Sequence, residues 1–395
     1  MTEPIVPMSS PDLTSAEIDA VNDVLSTRYL SIGPHVDAFE RAVAAVAGVD
    51  HGVAVNSGTS GLHLCLIAAG VGQDDLVITT PFSFIASANC ILYERAVPVF
   101  VDVDPRTGNI DPALAVQAAD DLAGGGPAAR QWLPPAFRRS PAALRAFLPV
   151  HAFGQPADID PLRAAAARLG LALIEDACEA IGAHYRGRRA GALGDAAVFA
   201  FYPNKQVTTG EGGMIVTGSD DWDQLCRSLR NQGRDVFDAW LNHTRLGYNY
   251  RLDEMSAALG LAQIRRLDQL LAKRAQVAAW YNQRLAGLEL LERPYIAPAT
   301  TRMSWFVYVV RILPPANRDA VMRGLAAAGV PSRPYFTPIH LQPFYRERFG
   351  YDRGCFPVTE RLGDLSLALP FSGVMTEDQV DRVCAALRAQ IEAAA

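Results

Sequence analysis

The chain has 395 residues, of which 50% are hydrophobic and 20% charged, and this length and composition allow two domains with a substantial core. Its formal net charge of −6 provides no basic surface, so nucleic acid is not expected as a main partner. No apolar run approaches the length that crosses a bilayer, and residues 1–13 lack the features of a signal peptide, so we expect a cytoplasmic protein without membrane partners.

Cysteine and histidine positions give no sign of a metal site or a disulfide framework. The six cysteines show no C-x-x-C spacing, and the seven histidines form no H-x-x-x-H pattern. We therefore expect no bound metal.

The first elements in the chain are two predicted helices, residues 16–25 and 36–47, and a short strand at 53–55. The strand leads into the small residues 56–61, Asn-Ser-Gly-Thr-Ser-Gly, and then into an apolar helix. Such a turn can bind a phosphate, because free N–H groups and the helix dipole attract an anion, but it is equally typical of a well-capped helix. The segment lacks the P-loop pattern and the dinucleotide spacing, which argues against an NTPase or a dehydrogenase.

Strands and helices alternate in the next segment, with strands at 76–79 and 97–101 and a helix at 85–94. This alternation predicts an α/β fold with a parallel sheet and right-handed crossovers. Phe84 lies at a turn between strand and helix, where an aromatic residue is usually part of the core. Residues 120–141 contain Gly-Gly-Gly-Pro and Pro-Pro without periodicity, so we predict a surface loop there, of no assigned function.

Asp176 follows a predicted strand at 171–175, which itself comes after another predicted strand at 147–150. It would therefore lie at the carboxyl end of a strand, where ligands bind in open α/β sheets. Asp176 and Glu179 also have the spacing of a capping box, which is the simpler interpretation of these residues taken alone. Lys205 lies one strand further along the chain, and this position favours a ligand that Asp176 and Lys205 contact together over the capping interpretation.

Lys205 lies on the turn after an apolar strand, residues 196–201, that Pro203 ends. An isolated turn lysine is usually solvated. A lysine becomes a nucleophile when its amine is desolvated or lies near other cations, because its pKa then falls and the free amine can form a Schiff base. The glycine-rich residues 210–213 let the backbone pass close to a bulky group.

The last third of the chain begins with an extended segment, residues 246–251, and a long predicted helix from about Asp253. Apolar residues recur along this helix at helical spacing and predict the element that joins a large domain to a smaller one: Met255, Ala258, Leu261, Ile264, Leu267 and Leu271. A strand at 305–312 and helices at 317–328 and 376–392 predict an α+β domain.

Arg333 and His340 are candidate contacts for a substrate phosphate or carboxylate, since a guanidinium suits anions. A surface arginine and a half-buried histidine explain the same residues equally well. Tyr335 and Phe336 are expected to line the same cleft.

Three segments together resemble one known family. Residues 174–180 (Ile-Glu-Asp-Ala-Cys-Glu-Ala), 201–213 and 246–251 (Leu-Gly-Tyr-Asn-Tyr-Arg) are similar, in the same order, to motifs of the DegT/DnrJ/EryC1/StrS family of sugar aminotransferases, which depend on pyridoxal phosphate (PLP). The similarity runs from about Pro11 to the C-terminal helix. It implies fold type I: a large PLP-binding α/β domain with a mostly parallel central sheet (residues 1–252), then a linker helix and a small α+β domain (residues 253–395).

The resemblance also implies roles for single residues. Lys205 would hold the cofactor as an internal aldimine, and Asp176 would keep the ring nitrogen of PLP protonated so that the ring can accept electrons. Glu179, where many members have glutamine, would lie near the phenolic oxygen. The other implied cofactor contacts are main-chain donors to the phosphate at Gly58 and Thr59, ring stacking by Phe84, and Asn249, which would reach across a dimer interface to the other subunit's cofactor phosphate.

A homodimeric aminotransferase with shared active sites is therefore predicted. It would move an amino group, with L-glutamate as the donor, to a nucleotide-linked keto sugar in a ping-pong scheme in which Lys205 carries the proton. Two alternatives stay open: a cyclitol or other non-nucleotide ketone as acceptor, and a PLP-binding regulator without catalysis. A dehydratase of the same fold is disfavoured, because those enzymes typically have histidine in place of the Schiff-base lysine.

Overall fold

Helices and strands alternate in the computed structural model, which describes residues 6–137, 139–235 and 242–394. The helices are α1 Ser15–Leu25, α2 Pro34–Ala47, α3 Gly58–Ala68, α4 Ala86–Tyr93, α5 Pro112–Gly124, α6 Gly126–Arg130, α7 Ile159–Leu169, α8 Asp220–Arg230, α9 Glu254–Arg265, α10 Leu267–Arg284, α11 Arg318–Ala327, α12 Pro343–Phe349, α13 Pro357–Leu365 and α14 Glu377–Ala394. Short 3₁₀ turns lie at Ala152–Gly154 and Ile339–Leu341. None of the helices in these ranges is long and apolar enough to span a membrane.

The strands of the described residues are β1 His51–Val55, β2 Leu76–Thr79, β3 Val97–Phe100, β4 Leu144–Phe147, β5 Ala172–Asp176, β6 His184–Tyr185, β7 Arg188–Arg189, β8 Ala196–Ala200, β9 Gly213–Thr217, β10 Leu291–Glu292, β11 Thr300–Arg302, β12 Tyr308–Ile312, β13 Arg333–Pro334 and β14 Ser366–Leu369. Seven of them form the central sheet, in the order β1-β9-β8-β5-β4-β2-β3. Within this sheet β9 alone runs against the others, so the mostly parallel sheet that the sequence predicts is confirmed.

β5 and β8 are parallel neighbours in the central sheet, with Asp176 opposite Val198. Their carboxyl ends therefore lie side by side, and Asp176 and the turn that carries Lys205 are brought to the same edge of the sheet. Successive side chains of a strand point to opposite faces of the sheet. Phe199 and Val198 therefore report on the two faces of β8, and both residues are buried. Phe199 packs in one cluster with residues of α2 and α9, and Val198 packs on the other face with residues of α3.

A second sheet, β10-β12-β14-β13, is antiparallel throughout. Its core includes Tyr308 of β12 and Leu387 of α14. Val6 packs in this same cluster, and the Phe371 N–H donates to the Met8 carbonyl at 3.0 Å. The N-terminal segment thus lies against the second sheet, although it precedes the first in sequence. The division of domains at residues 252 and 253 stays a prediction.

Residues 120–141 are not the unstructured surface loop that the sequence predicts. α5 continues to Gly124, and α6 covers Gly126–Arg130. Beyond α6, Trp132 packs against the core, and its indole Nε1 donates to Asp121 Oδ2 at 2.8 Å. For residues 120–130 the prediction was wrong, because glycines and prolines hide the apolar spacing. α5 is held by buried alanines such as Ala118 and Ala119, whereas α6 has no buried residue and lies beside α5. Residues 131–137 form turns, as a loop prediction implies. Residue 138 lies outside the described residues.

Two other elements differ from prediction. The strand predicted at 147–150 is β4, and its beginning was missed because Arg145, which forms an ion pair with Asp75 at 3.1 Å, interrupts the apolar run. The long helix predicted from Asp253 is two helices, α9 and α10, that meet at Arg266 with a non-helical φ of −106°. The apolar stripe continues across this break, so its spacing does not reveal it.

Candidate active site

A cleft of about 390 Å³ opens at the carboxyl ends of β1, β5 and β8. Loops of the central sheet supply one side of it, and side chains near the second sheet supply the other. The lining includes Ser57, Gly58, Thr59, Phe84, Ser87, Asp176, Glu179, Tyr202, Lys205, Phe306, Tyr335 and Phe336. Tyr335 and Phe336 line this cleft, but Arg333 and His340, with which they were expected to share it, do not.

The turn after β1 forms one end of the cleft. Ser57 caps α3 by accepting the Ser60 N–H on its hydroxyl oxygen at 3.1 Å. The N–H groups of Gly58 and Thr59 belong to the first turn of α3 and have no acceptor within that helix. A Cβ on Gly58 would lie 2.8 Å from Ala200 Cβ and from Cys178 Sγ, so glycine lets the helix N-terminus approach the sheet. The turn therefore caps α3 and also leaves free N–H groups of the first helical turn at the cleft.

Asp176 is buried at the end of β5 and lines the cleft. The Ser87 hydroxyl donates to Asp176 Oδ2 at 2.6 Å, and the Cys178 N–H donates to Oδ1 at 3.2 Å. No helix begins here, since residues 177–183 form turns, so the capping-box interpretation of Asp176 and Glu179 is wrong. The carboxylate is instead held by a serine and a backbone N–H, in a position to meet a ligand.

The Lys205 side chain is 13% exposed, so the solvated turn lysine of the alternative interpretation is not what the structure contains. Its Nζ lies 3.6 Å from Glu179 Oε1 and 3.8 Å from the centroid of the Phe306 ring. The chain contains only one other lysine, Lys273, which is 40% exposed and donates to Asp12 Oδ2 at 2.6 Å. Lys205 is therefore the one lysine whose amine lies in the cleft.

Glu179 reaches into the cleft from the turns after β5. Its Oε2 accepts the Phe153 N–H at 2.8 Å, which leaves Oε1 towards Lys205. Burial raises the pKa of the Glu179 carboxyl, while the Lys205 ammonium and the Phe153 N–H act in the opposite direction. A proton is thus easier to keep on Glu179 than on an exposed glutamate, which suits a carboxyl group placed beside an oxyanion.

Replacement of Glu179 by Gln is expected to change the pH dependence of stability. A carboxyl whose folded-state pKa is raised stabilises the fold below its unfolded pKa and loses this contribution as the pH rises through the folded value. Cofactor-free Glu179→Gln should therefore melt at nearly the wild-type temperature at about pH 4 and at a higher temperature than wild type at about pH 8. Thermal scans of both proteins measure this, with the exposed Glu211→Gln as control. A constant temperature difference across the pH range would contradict the expectation.

Phe84 is exposed at the mouth of the cleft, with 65% of its surface accessible. The core position that is usual for such a residue is therefore not observed. Tyr202, which also lines the cleft, is exposed as well. Two exposed aromatic rings are thus available to cover a flat ligand.

Asn249 lies outside the cleft of its own chain, with an exposed side chain. Its neighbours are fixed by backbone bonds, since the Tyr248 N–H donates to Leu229 O at 2.6 Å and the Tyr250 N–H to Arg230 O at 3.0 Å. The rings of Tyr248 and Tyr250 stack with centroids 5.0 Å apart. Because side chains alternate along an extended segment, Asn249 is directed away from these rings and towards solvent.

The two candidate substrate contacts do not lie in the cleft. His340 has no exposed surface, and its Nε2 lies 3.0 Å from Glu360 Oε1, so its interpretation as a ligand contact is corrected to an interior hydrogen bond. Arg333 is exposed on β13, and its Nη1 donates to the Ser332 carbonyl at 3.0 Å. The first cleft residue of this proline-rich segment, residues 331–338, is Tyr335, two positions after Arg333.

Several residues of the site were missed in the sequence. They include Ser87, which donates to Asp176, Phe306, whose ring contacts the Lys205 amine, and Arg274, which donates to the Lys205 carbonyl at 2.8 Å. Serine, phenylalanine and arginine at these positions have no local pattern that sets them apart.

The groups in the cleft fit PLP. The first-turn N–H groups at Gly58 and Thr59 suit its phosphate, the Phe84 ring suits its flat heterocycle, the Asp176 carboxylate suits its ring nitrogen and the Lys205 amine suits its aldehyde. In the ranges that the structure describes, no group of three or more His, Cys, Asp and Glu side chains could hold a metal.

Known proteins resemble this chain over nearly its full length. The model of the DegT/DnrJ/EryC1/StrS aminotransferase family matches residues 11–388. GDP-perosamine synthase of Caulobacter vibrioides is 40% identical over 388 residues, which are 97% of this chain and 98% of that protein. The crystal structure of DesV from S. venezuelae, in complex with a ketimine intermediate, has a TM-score of 0.86 at 35% identity and covers 99% of both chains. DesI, solved in the presence of its TDP-sugar product, has a TM-score of 0.84 at 31% identity over 99% of this chain and 94% of its own.

The fold, the residues of the cleft and the similarity to known proteins all indicate the same family. The central sheet and its flanking helices have the fold type I of PLP-dependent aminotransferases, as the similarity to DesV shows. The family match extends through every segment that lines the cleft. The chain therefore belongs to the DegT/DnrJ/EryC1/StrS aminotransferase family and is a PLP-dependent transaminase.

Proposed function

We propose that the protein transfers an amino group from L-glutamate to a keto deoxysugar linked to a nucleotide. The observation that carries the proposal is the placement of the Lys205 amine and the Asp176 carboxylate in one cleft, beside the open N-terminus of α3. The sugar nucleotide as acceptor is supported by GDP-perosamine synthase, at 40% identity, and by the TDP-sugar product of DesI. Since the first of these relatives has the higher identity, a GDP-linked acceptor is our first choice.

The residues of the cleft divide the work of cofactor binding. Gly58 and Thr59 hold the phosphate through main-chain N–H groups, and Phe84 covers the ring. Asp176 holds a proton on the ring nitrogen, because a buried carboxylate favours the adjacent positive charge. When bound, PLP supplies an aldehyde that takes the amine and a protonated ring that withdraws electrons.

Lys205 performs two tasks in this proposal. Its Nζ would hold the aldehyde of PLP, and its free amine would move the proton on the donor or sugar carbon. Phe306 lies against Nζ and limits the access of water from that side. The donor leaves as a keto acid before the sugar binds, which gives the ping-pong order.

Glutamate alone tests the first half of the reaction. Addition of L-glutamate to the PLP-loaded protein should convert the cofactor to its amine form, which changes the absorbance. A spectrum that glutamate leaves unchanged would favour a PLP-binding regulator and would contradict the proposal.

An acceptor panel tests the second half. The amine form of the protein is mixed with GDP-linked and TDP-linked 4-keto-6-deoxysugars, their 3-keto isomers, and cyclitol ketones, and return of the starting absorbance reports transfer. Turnover with GDP-linked sugars supports the proposal. Transfer confined to a cyclitol would show the alternative acceptor to be correct.

We also propose that the protein is a cytoplasmic homodimer in which each active site contains Asn249 of the partner subunit. The support is the exposed position of Asn249, outside its own cleft, on a segment that backbone hydrogen bonds hold in place. The exposed side chain of Leu246, three residues before Asn249, would be covered in such a dimer.

Complementation measures whether sites are shared. Lys205→Ala and Asn249→Ala are each expected to be nearly inactive, whereas a mixed dimer contains one site with both native residues. Subunits mixed in equal amounts and allowed to exchange should regain about a quarter of the wild-type activity, because half of the dimers are mixed and each has one intact site. Recovery is informative once Asn249→Ala alone is shown to be impaired, and its failure in mixtures shown to contain mixed dimers would refute a shared site.

A further inference from the structure

Arg274 of α10 carries a charge in the interior of the protein without a carboxylate partner. Its side chain is buried, and within the described ranges it forms no ion pair. Burial lowers the pKa of Arg274 to about 10, with only a distant opposing effect of Asp12. A buried cation that is not paired with an acid is costly unless its N–H groups are all used.

Backbone carbonyls take the place of a carboxylate around this guanidinium. Nη2 donates to the carbonyls of Asn204 and Lys205 at 3.2 and 2.8 Å. Nη1 donates to the carbonyls of Trp305 and Phe306 at 3.3 and 3.1 Å. One planar group therefore ties the turn that carries the lysine to the segment that enters the second sheet.

The two segments that Arg274 joins determine the surroundings of the lysine amine. The first contains Lys205 itself, and the second contains Phe306, whose ring centroid lies 3.8 Å from Nζ. A parallel connection is made next to it, where Gln206 Nε2 donates to Ser304 Oγ at 2.8 Å. The backbone of Lys205 and the ring that its amine rests on are thus held at a fixed separation.

We propose that Arg274 is the positioning residue that directs the Lys205 amine into the cleft. The inference rests on the function proposed for Lys205. The guanidinium is suited to this task because its rigid fork serves four carbonyls at once, which the single ammonium of a lysine does not. Without the fork the two segments can separate, the ring no longer supports Nζ, and a misplacement of about 1 Å at a reacting atom can slow a reaction about 100-fold.

The test uses Arg274→Lys, which keeps the charge, and Arg274→Gln, which keeps two donors. Arg318→Lys is the control, because Arg318 Nη1 also donates to two carbonyls, those of Gly363 and Ser366, at 3.2 and 2.8 Å, but neither residue belongs to the two segments that Arg274 joins. Covalent attachment of PLP is followed by borohydride trapping and mass spectrometry of the Lys205 peptide. Glutamate turnover then gives kcat and KM separately, and thermal midpoints report folding.

Both Arg274 variants should trap the cofactor and turn over about 100-fold more slowly than wild type, with the loss in kcat and little change in KM. Their thermal midpoints should fall further than that of Arg318→Lys, because buried carbonyls lose a donor, but both proteins should remain folded at the assay temperature. Arg318→Lys should trap and turn over like wild type. Wild-type trapping and kcat in Arg274→Lys overturn the inference. Unfolding of both Arg274 variants, with Arg318→Lys still folded, assigns the residue a structural role and overturns it as well.

A crystal structure of cofactor-free Arg274→Lys separates this inference from the proposed function. A Lys205 amine displaced from Phe306 supports the positioning role, and an amine in its wild-type place refutes it. If the wild-type protein does not trap PLP on Lys205, the proposed function fails on its own, and the crystallographic result still decides what Arg274 holds.

Discussion

Lys205→Ala is expected to abolish transamination while the protein stays folded. The amine is the proposed covalent attachment point and proton carrier, and loss of the proton carrier alone should lower turnover by about 10²- to 10⁴-fold. Substitution of a side chain that lines a cleft leaves the buried clusters of β8 intact. Turnover of glutamate and a sugar acceptor measures the effect, and borohydride trapping should find no labelled Lys205 peptide.

Lys273→Ala is the matched control. It removes the only other lysine of the chain, which lies on α10 and is bound to Asp12. Trapping and turnover should remain near wild type in this variant, at the expense of one exposed ion pair worth about 0.5 kcal/mol. The assignment of Lys205 is wrong if Lys205→Ala turns over at the wild-type rate, or if the label is found on Lys273.

Asp176→Asn is expected to lose most of the activity, between about 10²- and 10⁴-fold, because the amide cannot stabilise a proton on the ring nitrogen. The amide oxygen can still accept one of the two hydrogen bonds that hold the carboxylate, such as that from Ser87, so the fold should be preserved. Cofactor should still attach to Lys205, and turnover should be slow at every pH. Stopped-flow absorbance with glutamate separates attachment from the slowed proton transfer.

Asp111→Asn is the control, because it makes the same substitution at an aspartate whose role is helix capping. Asp111 caps α5 by accepting the N–H groups of Ala113 and Leu114, and the substitution should leave activity unchanged. A near wild-type rate for Asp176→Asn would show that its charge has no part in the reaction. A large loss with an unchanged thermal midpoint is the expected result.

The core of the site could be predicted because two of its residues follow strands that are buried on both faces. Such strands appear in the sequence as continuous apolar runs, here 171–175 and 196–201, and the residue that ends each run is easy to locate. In the structure these strands are neighbours, which brings Asp176 and Lys205 to one edge. The capping interpretation of Asp176 failed because a four-residue spacing does not show whether a helix follows it.

Residues that act across large sequence separations could not be predicted. His340 and Arg333 were chosen for their chemistry, yet the first is enclosed with Glu360 and the second faces solvent. Ser87 lies 89 residues from the carboxylate that it contacts, and Arg274 lies 69 residues from the carbonyl of Lys205. Such contacts depend on how α4 and α10 pack against the sheet, and no local pattern records that packing.

By itself the sequence determined the class of the fold, most strands of the central sheet and the lysine and aspartate that follow two of them, because burial on both faces imposes an apolar pattern on neighbouring residues. It did not reveal β9 or the beginning of β4. Only the tertiary structure decided which side chains surround the lysine amine, where α9 gives way to α10, and that residues 120–130 are helical. These features depend on contacts between segments that are far apart in the sequence. The free energy of such contacts depends on both segments, so no short stretch of the chain predicts it.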